Sequence, residues 1–151
     1  RLRKEPIYVV ISNELLYAHG NALAEDLNRQ VAEHGGITLH ALRDLPFLVH
    51  AEGKRMHVIE SAGFVEAGFE PTIRMVSKLS ATLLKMCYQG QGVCMVNSLN
   101  FESVPTDQSI STFPLLLDGK QVFHNIYMIY RKKNDYPAYY RDFVQMVLEF
   151  F

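Results

Sequence analysis

"GFEPTIRMVSKLSATLLKMCYQGQGVCMV", Gly68 to Val96, decides the fold. It opens on a glycine that closes a helix, and Pro71 follows, a residue that cannot continue one. Thr72 to Val76 ("TIRMV") reads as a strand. Ser77 is placed to cap the next helix, on which Leu79, Leu83, Met86 and Cys87 share one face. Gly90 supplies the left-handed residue that ends this helix. Gly92 lets the backbone pass close to its neighbours as the chain doubles back. Gln91, between them, is then the exposed residue of a tight connection. Val93 to Val96 ("VCMV") is apolar on both faces, as a strand in a covered parallel sheet must be. Strand, helix and returning strand form a βαβ unit.

Working outward, the same alternation continues. Pro6 to Ser12 ("PIYVVIS") is a short buried strand. Leu23, Leu27 and Val31 define an amphipathic helix with Asn21 as its N-cap and Gly35-Gly36 as its stop. "ITLHALRDLPFLVH" gives an extended piece, a helical turn near His40 to Asp44, and a strand from Phe47 to His50. A helix begins near Lys54, turns Met56, Ile59, Gly63 and Val65 inward, and ends at Gly68. Toward the C-terminus, two extended segments flank the turn Asp118-Gly119. A last helix starts at Pro137 and carries Tyr140, Phe143, Val144, Val147 and Phe151 on one side, a large aromatic face that needs a partner. The expected class is α/β, a mostly parallel sheet flanked by helices, with C-terminal return strands and a helix.

The 151 residues suffice for about one domain with a real core. A net charge of −1 argues against holding DNA or an acidic membrane by bulk electrostatics. The densest basic group, Arg131-Lys132-Lys133, is too short to track phosphates and reads as a solvated turn. Cys87 and Cys94 fall in a helix and a buried strand, so they read as small core hydrophobes, reduced in a cytoplasmic protein. No apolar run reaches membrane-spanning length and no signal peptide is present. The sequence starts at Arg1 directly before a strand, as a piece of a longer chain would.

The usual marks of chemistry are missing. "GQGV" lacks the further spacing of a nucleotide-binding loop, and no G-x-S-x-G elbow or nucleophilic cysteine context is present. No paired acid, base or nucleophile suggests an enzyme, and no cofactor is called for. His50 and His57 bracket one loop, but no Asp or Cys stands at matching ligand spacing, so no metal is expected. "HAEGKRMH", His50 to His57, is the exception. It leaves the C-terminal end of a strand and runs into a helix N-terminus, where open α/β sheets bind ligands and where Lys54 and Arg55 would favour an anion. The plain alternative is a solvated loop with two surface cations.

The order of these segments resembles the effector-binding domain of LysR-type transcriptional regulators. The resemblance rests on "GFEPTIRMV" as a GF-x-P step into a strand, on "GQGVCMV" as a G-x-G-apolar return, on "KEPIYVVIS", and on "ITLHALRDLPFLVH" as an I-x-L-x-x-L-x-x-x-P-F-I segment. It spans about Glu5 to Phe151. It implies a periplasmic-binding-protein-like (type 2) architecture of two subdomains with a small-molecule effector, in many members a carboxylate, in the cleft between them. Residues 12–112 would form the second subdomain, and 1–11 and 113–151 would link it to the first. The family's winged helix-turn-helix has no counterpart here, so DNA would be bound only through a domain absent from this chain.

Carried over by position, the effector contacts implied are His50, Gly53, Lys54, Arg55 and Met56 after the "PFLVH" strand, and Asn97 and Ser98 after "GVCMV". Asn97 stands where the family often has proline. The region Leu15 to Gly36 is also longer than the family's usual connection. Two other readings share the fold. One is a lobe of a secreted solute-binding protein, which a signal peptide upstream would mark. The other is a dimerisation module without ligand, using the helix that follows Lys54. Self-association is expected in either regulatory reading.

Overall fold

A computed structural model describes residues 1–130 and 137–150. The expected solvated turn at 131–133 and Phe151 of the aromatic face lie outside the described residues. The chain opens with β1 (Arg3–Ser12), α1 (Asn13–Leu16) and α2 (Ala22–His34), then a 3-10 turn at His40–Leu42. The central run is β2 (Pro46–His50), α3 (Arg55–Ala67), β3 (Thr72–Ser77), α4 (Ser80–Tyr88) and β4 (Val93–Asn97). It is followed by α5 (Asn100–Ser103), β5 (Ile110–Pro114), β6 (Leu116–Leu117), β7 (Lys120–Gln121), β8 (Phe123–Ile126) and α6 (Ala138–Phe150).

The main sheet runs β3-β2-β4-β1-β5, with β8 paired to the start of β1. β2 is parallel to both β3 and β4, as the βαβ pattern requires. β1 is antiparallel to β4, β5 and β8, so it alone opposes the direction shared by the other five strands. The sequence of β1 does not reveal this, because a strand buried on both faces reads the same in either direction.

Alternate side chains of each strand enter two cores. Ile7, Val9 and Ile11, with Phe47, Val49, Val93, Met95 and Phe113, pack against Ala24 and Leu27 of α2 and Met56, Ile59 and Phe64 of α3. Val10, Leu48, Cys94 and Val96 face Leu83, Leu84 and Cys87 of α4 on the other side. The long α2 region therefore covers one face of the sheet. Phe47, Phe64 and Phe69 form an edge-on aromatic group, with Phe47 and Phe64 rings 4.9 Å apart. Cys87 and Cys94 are buried free thiols. A hydrogen bond with Cys87, and then burial, push the Cys94 thiol well up, so it stays protonated.

Several local expectations need correction. The inward face of α3 is Met56, Ile59, Glu60, Gly63 and Phe64, whereas Val65 is 81% exposed. Ser77 accepts the Leu79 N–H (3.1 Å) in a short turn but does not cap α4. That helix begins one residue after Leu79, which is exposed, and buries Leu84 instead. Asn21 makes no side-chain capping bond. α6 buries no residue. Tyr140, Val144 and Val147 are half-buried, and Phe143 lies on the exposed margin of the face. The glycine reading holds. Gly90 has φ +75°, and a Cβ on Gly92 would stand 2.8 Å from the Pro46 carbonyl oxygen. The Gln91 carbonyl accepts a hydrogen bond from Arg74 (2.9 Å).

Candidate functional site

The parallel strands β2 and β4 end on one rim, and the two sequence segments singled out as ligand-reading meet there. After His50 the backbone reverses in a turn closed by Lys54 N–H donating to the Ala51 carbonyl (3.3 Å). Gly53 has φ +83°, which a turn of this kind reserves for glycine. Lys54 then precedes α3 without a side-chain cap, so the first amides of α3 point outward beside two exposed cations, Lys54 and Arg55. Amides, helix dipole and cations give this corner positive potential.

His50 and Met56 lie underneath. Met56 belongs to the core. His50 is 2% exposed. Its backbone N–H donates to Glu60 Oε2 (3.0 Å), its Nδ1 is 2.6 Å from Glu60 Oε1, and its Nε2 is 2.7 Å from Ser80 Oγ. Its carbonyl oxygen is 3.1 Å from His57 Nδ1. Both residues hold the loop from below rather than facing solvent.

On the other side, β4 ends at Asn97. The Ser98 N–H donates to the Pro6 carbonyl (3.1 Å), and its hydroxyl donates to the Glu5 carboxylate, which also pairs with Arg3. Asn97 Nδ2 is 3.4 Å from His124 Nδ1. The Oδ1 atoms of Asn97 and Asn125 are buried without a hydrogen-bond partner. Burial, and then the Arg55 guanidinium, hold the His124 imidazole below its ordinary range, against the opposing pull of Glu5. Arg55 and Asn97, distant in sequence, thus share His124 as a neighbour. The rim offers cations and free amides for an anion, and unpaired amide oxygens for hydroxyl or ammonium donors.

Sequence reasoning missed Glu5, His124 and Asn125. They reach the site through the pairing of β1 with β8, which no local pattern announces. The one available signal is an acid, Glu5, at the mouth of an apolar strand.

A concavity of about 470 Å³ lies along the flank between α3 and β3, lined by Val49, His57, Phe64, Val65, Phe69 and Ile73. Arg55, Asn97 and His124 are not among its lining residues. Among the described residues, no group of three His, Cys, Asp or Glu side chains could hold a metal ion. No helix among them is long and apolar enough to cross a membrane.

The model of the LysR substrate binding domain family matches residues 1–151. The chain belongs to that family. LysR substrate-binding domains have the type 2 periplasmic-binding-protein-like fold and are regulatory rather than catalytic. Compared by sequence with curated proteins, this domain has no match. Among solved structures it is similar to the CcmR regulatory domain of Synechocystis PCC6803 in complex with 2-PG, with TM-score 0.66 and 11% identity over 99% of this chain and 64% of that one. It is also similar to the effector binding domain of QuiR in complex with shikimate, with TM-score 0.62 and 14% identity over 99% and 62%. The BenM effector binding domain with its effector benzoate gives TM-score 0.56 and 20% identity over 99% and 60%. At these identities the likeness speaks to the fold, and the chain spans less than two thirds of each neighbour.

Proposed function

We propose that this LysR substrate-binding domain reads a small, anionic, carboxylate-bearing metabolite at the rim formed by Gly53, Lys54, Arg55, Asn97 and Ser98. His50 and Met56 hold that rim in place. The convergence of the α3 start and the β4 end on His124 carries the reading, since it assembles both implied contact segments into one charged surface. On this reading residues 12–112 are one subdomain of the sensor, whose sheet and cores also take in β1 and β5, and the segments beyond these strands lead toward the other. The neighbours solved with 2-PG, shikimate and benzoate support a ligand of this size.

In the full-length regulator, a cytoplasmic protein, a ligand that prefers one arrangement of the subdomains biases it and so alters DNA binding through another domain. Self-association uses the α3–β3 flank. There the edge strand β3 exposes Ile73 and Val76, beside Val58 and Val65 of α3.

The test is a thermal-shift screen of hydroxylated and plain carboxylates, with each hit repeated on Arg55→Ala. A ligand that stabilises the wild type and loses its effect in the variant supports the rim as its site. A ligand that stabilises both equally places its site elsewhere.

A further inference from the structure

The concavity between α3 and β3 has a chemistry opposite to that of the rim. Its volume of about 470 Å³ falls in the range of small-molecule sites, about 300 to 1,000 Å³. α3 runs back along the sheet from the end of β2 to the start of β3. Its first turns therefore line one end of the groove, and Glu70 and Pro71 line the other. Between these ends lie Phe64, Phe69 and Ile73, with the two rings edge-on at 5.6 Å.

The polar side chains of the lining are His57, Glu60, Ser61 and Glu70, and no Lys or Arg joins them. Each of the four is left as an acceptor. His57 Nδ1 lies 3.1 Å from the His50 carbonyl oxygen, which only accepts. That nitrogen therefore carries the proton, and Nε2 of the neutral ring presents a lone pair. The Ser61 hydroxyl gives its proton to the His57 carbonyl (2.8 Å) and keeps only its lone pairs. Glu60 is 1% exposed, and its oxygens retain lone pairs beyond their contacts with His50. Glu70 is exposed and forms no ion pair with any described residue. The backbone adds little that donates. The Gly68 and Phe69 amides are spent on the Phe64 and Val65 carbonyls, and Pro71 has none. Arg74, the basic residue of β3, is tied to the Gln91 carbonyl (2.9 Å).

We propose that this groove is a second ligand site, for a small aromatic amine in its ammonium form. His57, Glu60 and Ser61 stand at i, i+3 and i+4, on one side of α3, and offer three acceptors to the three N–H donors of an ammonium group. The aromatic body lies against Phe64, Phe69 and Ile73, where ring faces favour a nearby cation. Glu70 adds negative potential at the far end, so an anion of the kind the rim takes meets only like charge here. A second copy of the chain does not fill this need, because apolar side chains pressed into the groove would bury its acceptors without donors. Val58 and Val76 of the self-association surface lie outside the lining. The site does not depend on the reading of the rim.

The experiment titrates the nitrogen-15-labelled chain with tryptamine and follows its amide signals by NMR. Tryptophol serves as the neutral counterpart and indole-3-acetate as the anionic one. The expected result is a saturable shift of signals from residues 57–73 with tryptamine. Tryptophol should need a concentration about tenfold higher, the scale of losing one charge-assisted bond, and indole-3-acetate should leave these signals in place. Ser61→Lys, a change at an exposed position, should abolish the response to tryptamine while the remaining spectrum stays that of the folded chain. Glu70→Gln should weaken binding about threefold, the scale of one exposed charge. Tryptophol or indole-3-acetate moving the groove signals as readily as tryptamine would overturn the proposal. So would a response to tryptamine confined to Gly53, Asn97 and Ser98. Groove signals that tryptamine does not move, whether or not they change on dilution of the protein, would overturn it as well.

Discussion

Glu5 and His124 stand opposite one another in the antiparallel pairing of β1 with β8, so an acid and an imidazole share a partly covered corner with Arg55. The balance there favours the neutral imidazole, because burial and Arg55 outweigh Glu5. The unfolded chain binds a proton at His124 near pH 6.5, while the folded chain resists it until a lower pH. Stability is therefore fully present above pH 6.5 and declines as pH falls from there through the folded value. Melting curves across this window should show the decline in the wild type and a shallower one in His124→Gln.

Arg55→Ala removes the cation that opposes His124 protonation, so the imidazole should titrate at higher pH in the variant, as read by NMR of its ring protons. Arg55 is exposed, so the melting temperature should move little, by no more than about 0.5 kcal/mol of stability. Affinity for a carboxylate ligand should fall about tenfold, the scale of one charge-assisted bond of about 1.5 kcal/mol. Anion binding to the wild type should take up protons in the window below pH 6.5, because negative charge at Arg55 relieves His124.

Gly92→Ala places a methyl group 2.8 Å from the Pro46 carbonyl oxygen and 3.1 Å from Leu48 Cγ, inside the β2–β4 pairing. The cost should be about 1–3 kcal/mol, measured by urea unfolding with an unchanged slope. Gly68→Ala meets no atoms within 4 Å and carries only the φ +76° strain, so it should cost about 1 kcal/mol.

Glu60→Ala leaves the His50 backbone N–H and ring Nδ1 without acceptors in a fully buried place. The loss should be about 3 kcal/mol, and the loop at 51–54 should gain hydrogen exchange with it.

Val65→Glu with Ile73→Lys changes side chains that are 81% and 51% exposed, so the folded monomer should keep its stability. If the α3–β3 flank is the self-association surface, sedimentation should show a weaker assembly than the wild type. An unchanged assembly would remove that flank from the proposal.

How far the sequence was legible depended on how local each cause was. Gly90 and Gly92 announced the α4–β4 return because backbone geometry and close approach act within a few residues. On α3 the apolar spacing placed Val65 inward, but Phe64, packed on Phe47, and the His50-bonded Glu60 hold that face. A buried acid is invisible to a pattern that counts only apolar residues. The loop carrying Gly53, Lys54 and Arg55 was readable as a strand end entering a helix. Its companions Glu5 and His124 were not, because strand register and direction are set across the whole sheet. Ser80 looked like an ordinary helix residue until its neighbours from β2 and α3 were known.

The direction of β1 has a further consequence, for the order in which the chain acquires structure. Residues Ile7 to Val10 pair with Cys94 to Asn97, Tyr8 to Ser12 with Ile110 to Pro114, and Arg3 to Pro6 with Phe123 to Ile126. β1 finds its first partner only in β4, at Cys94 to Asn97, and completes its pairing only with β5 and β8. Such long-range pairing makes folding slow. Until β4 has formed, the run Ile7 to Ile11 is an unpaired, apolar β-edge, the kind of segment that chaperones shield and that seeds aggregation when they are scarce.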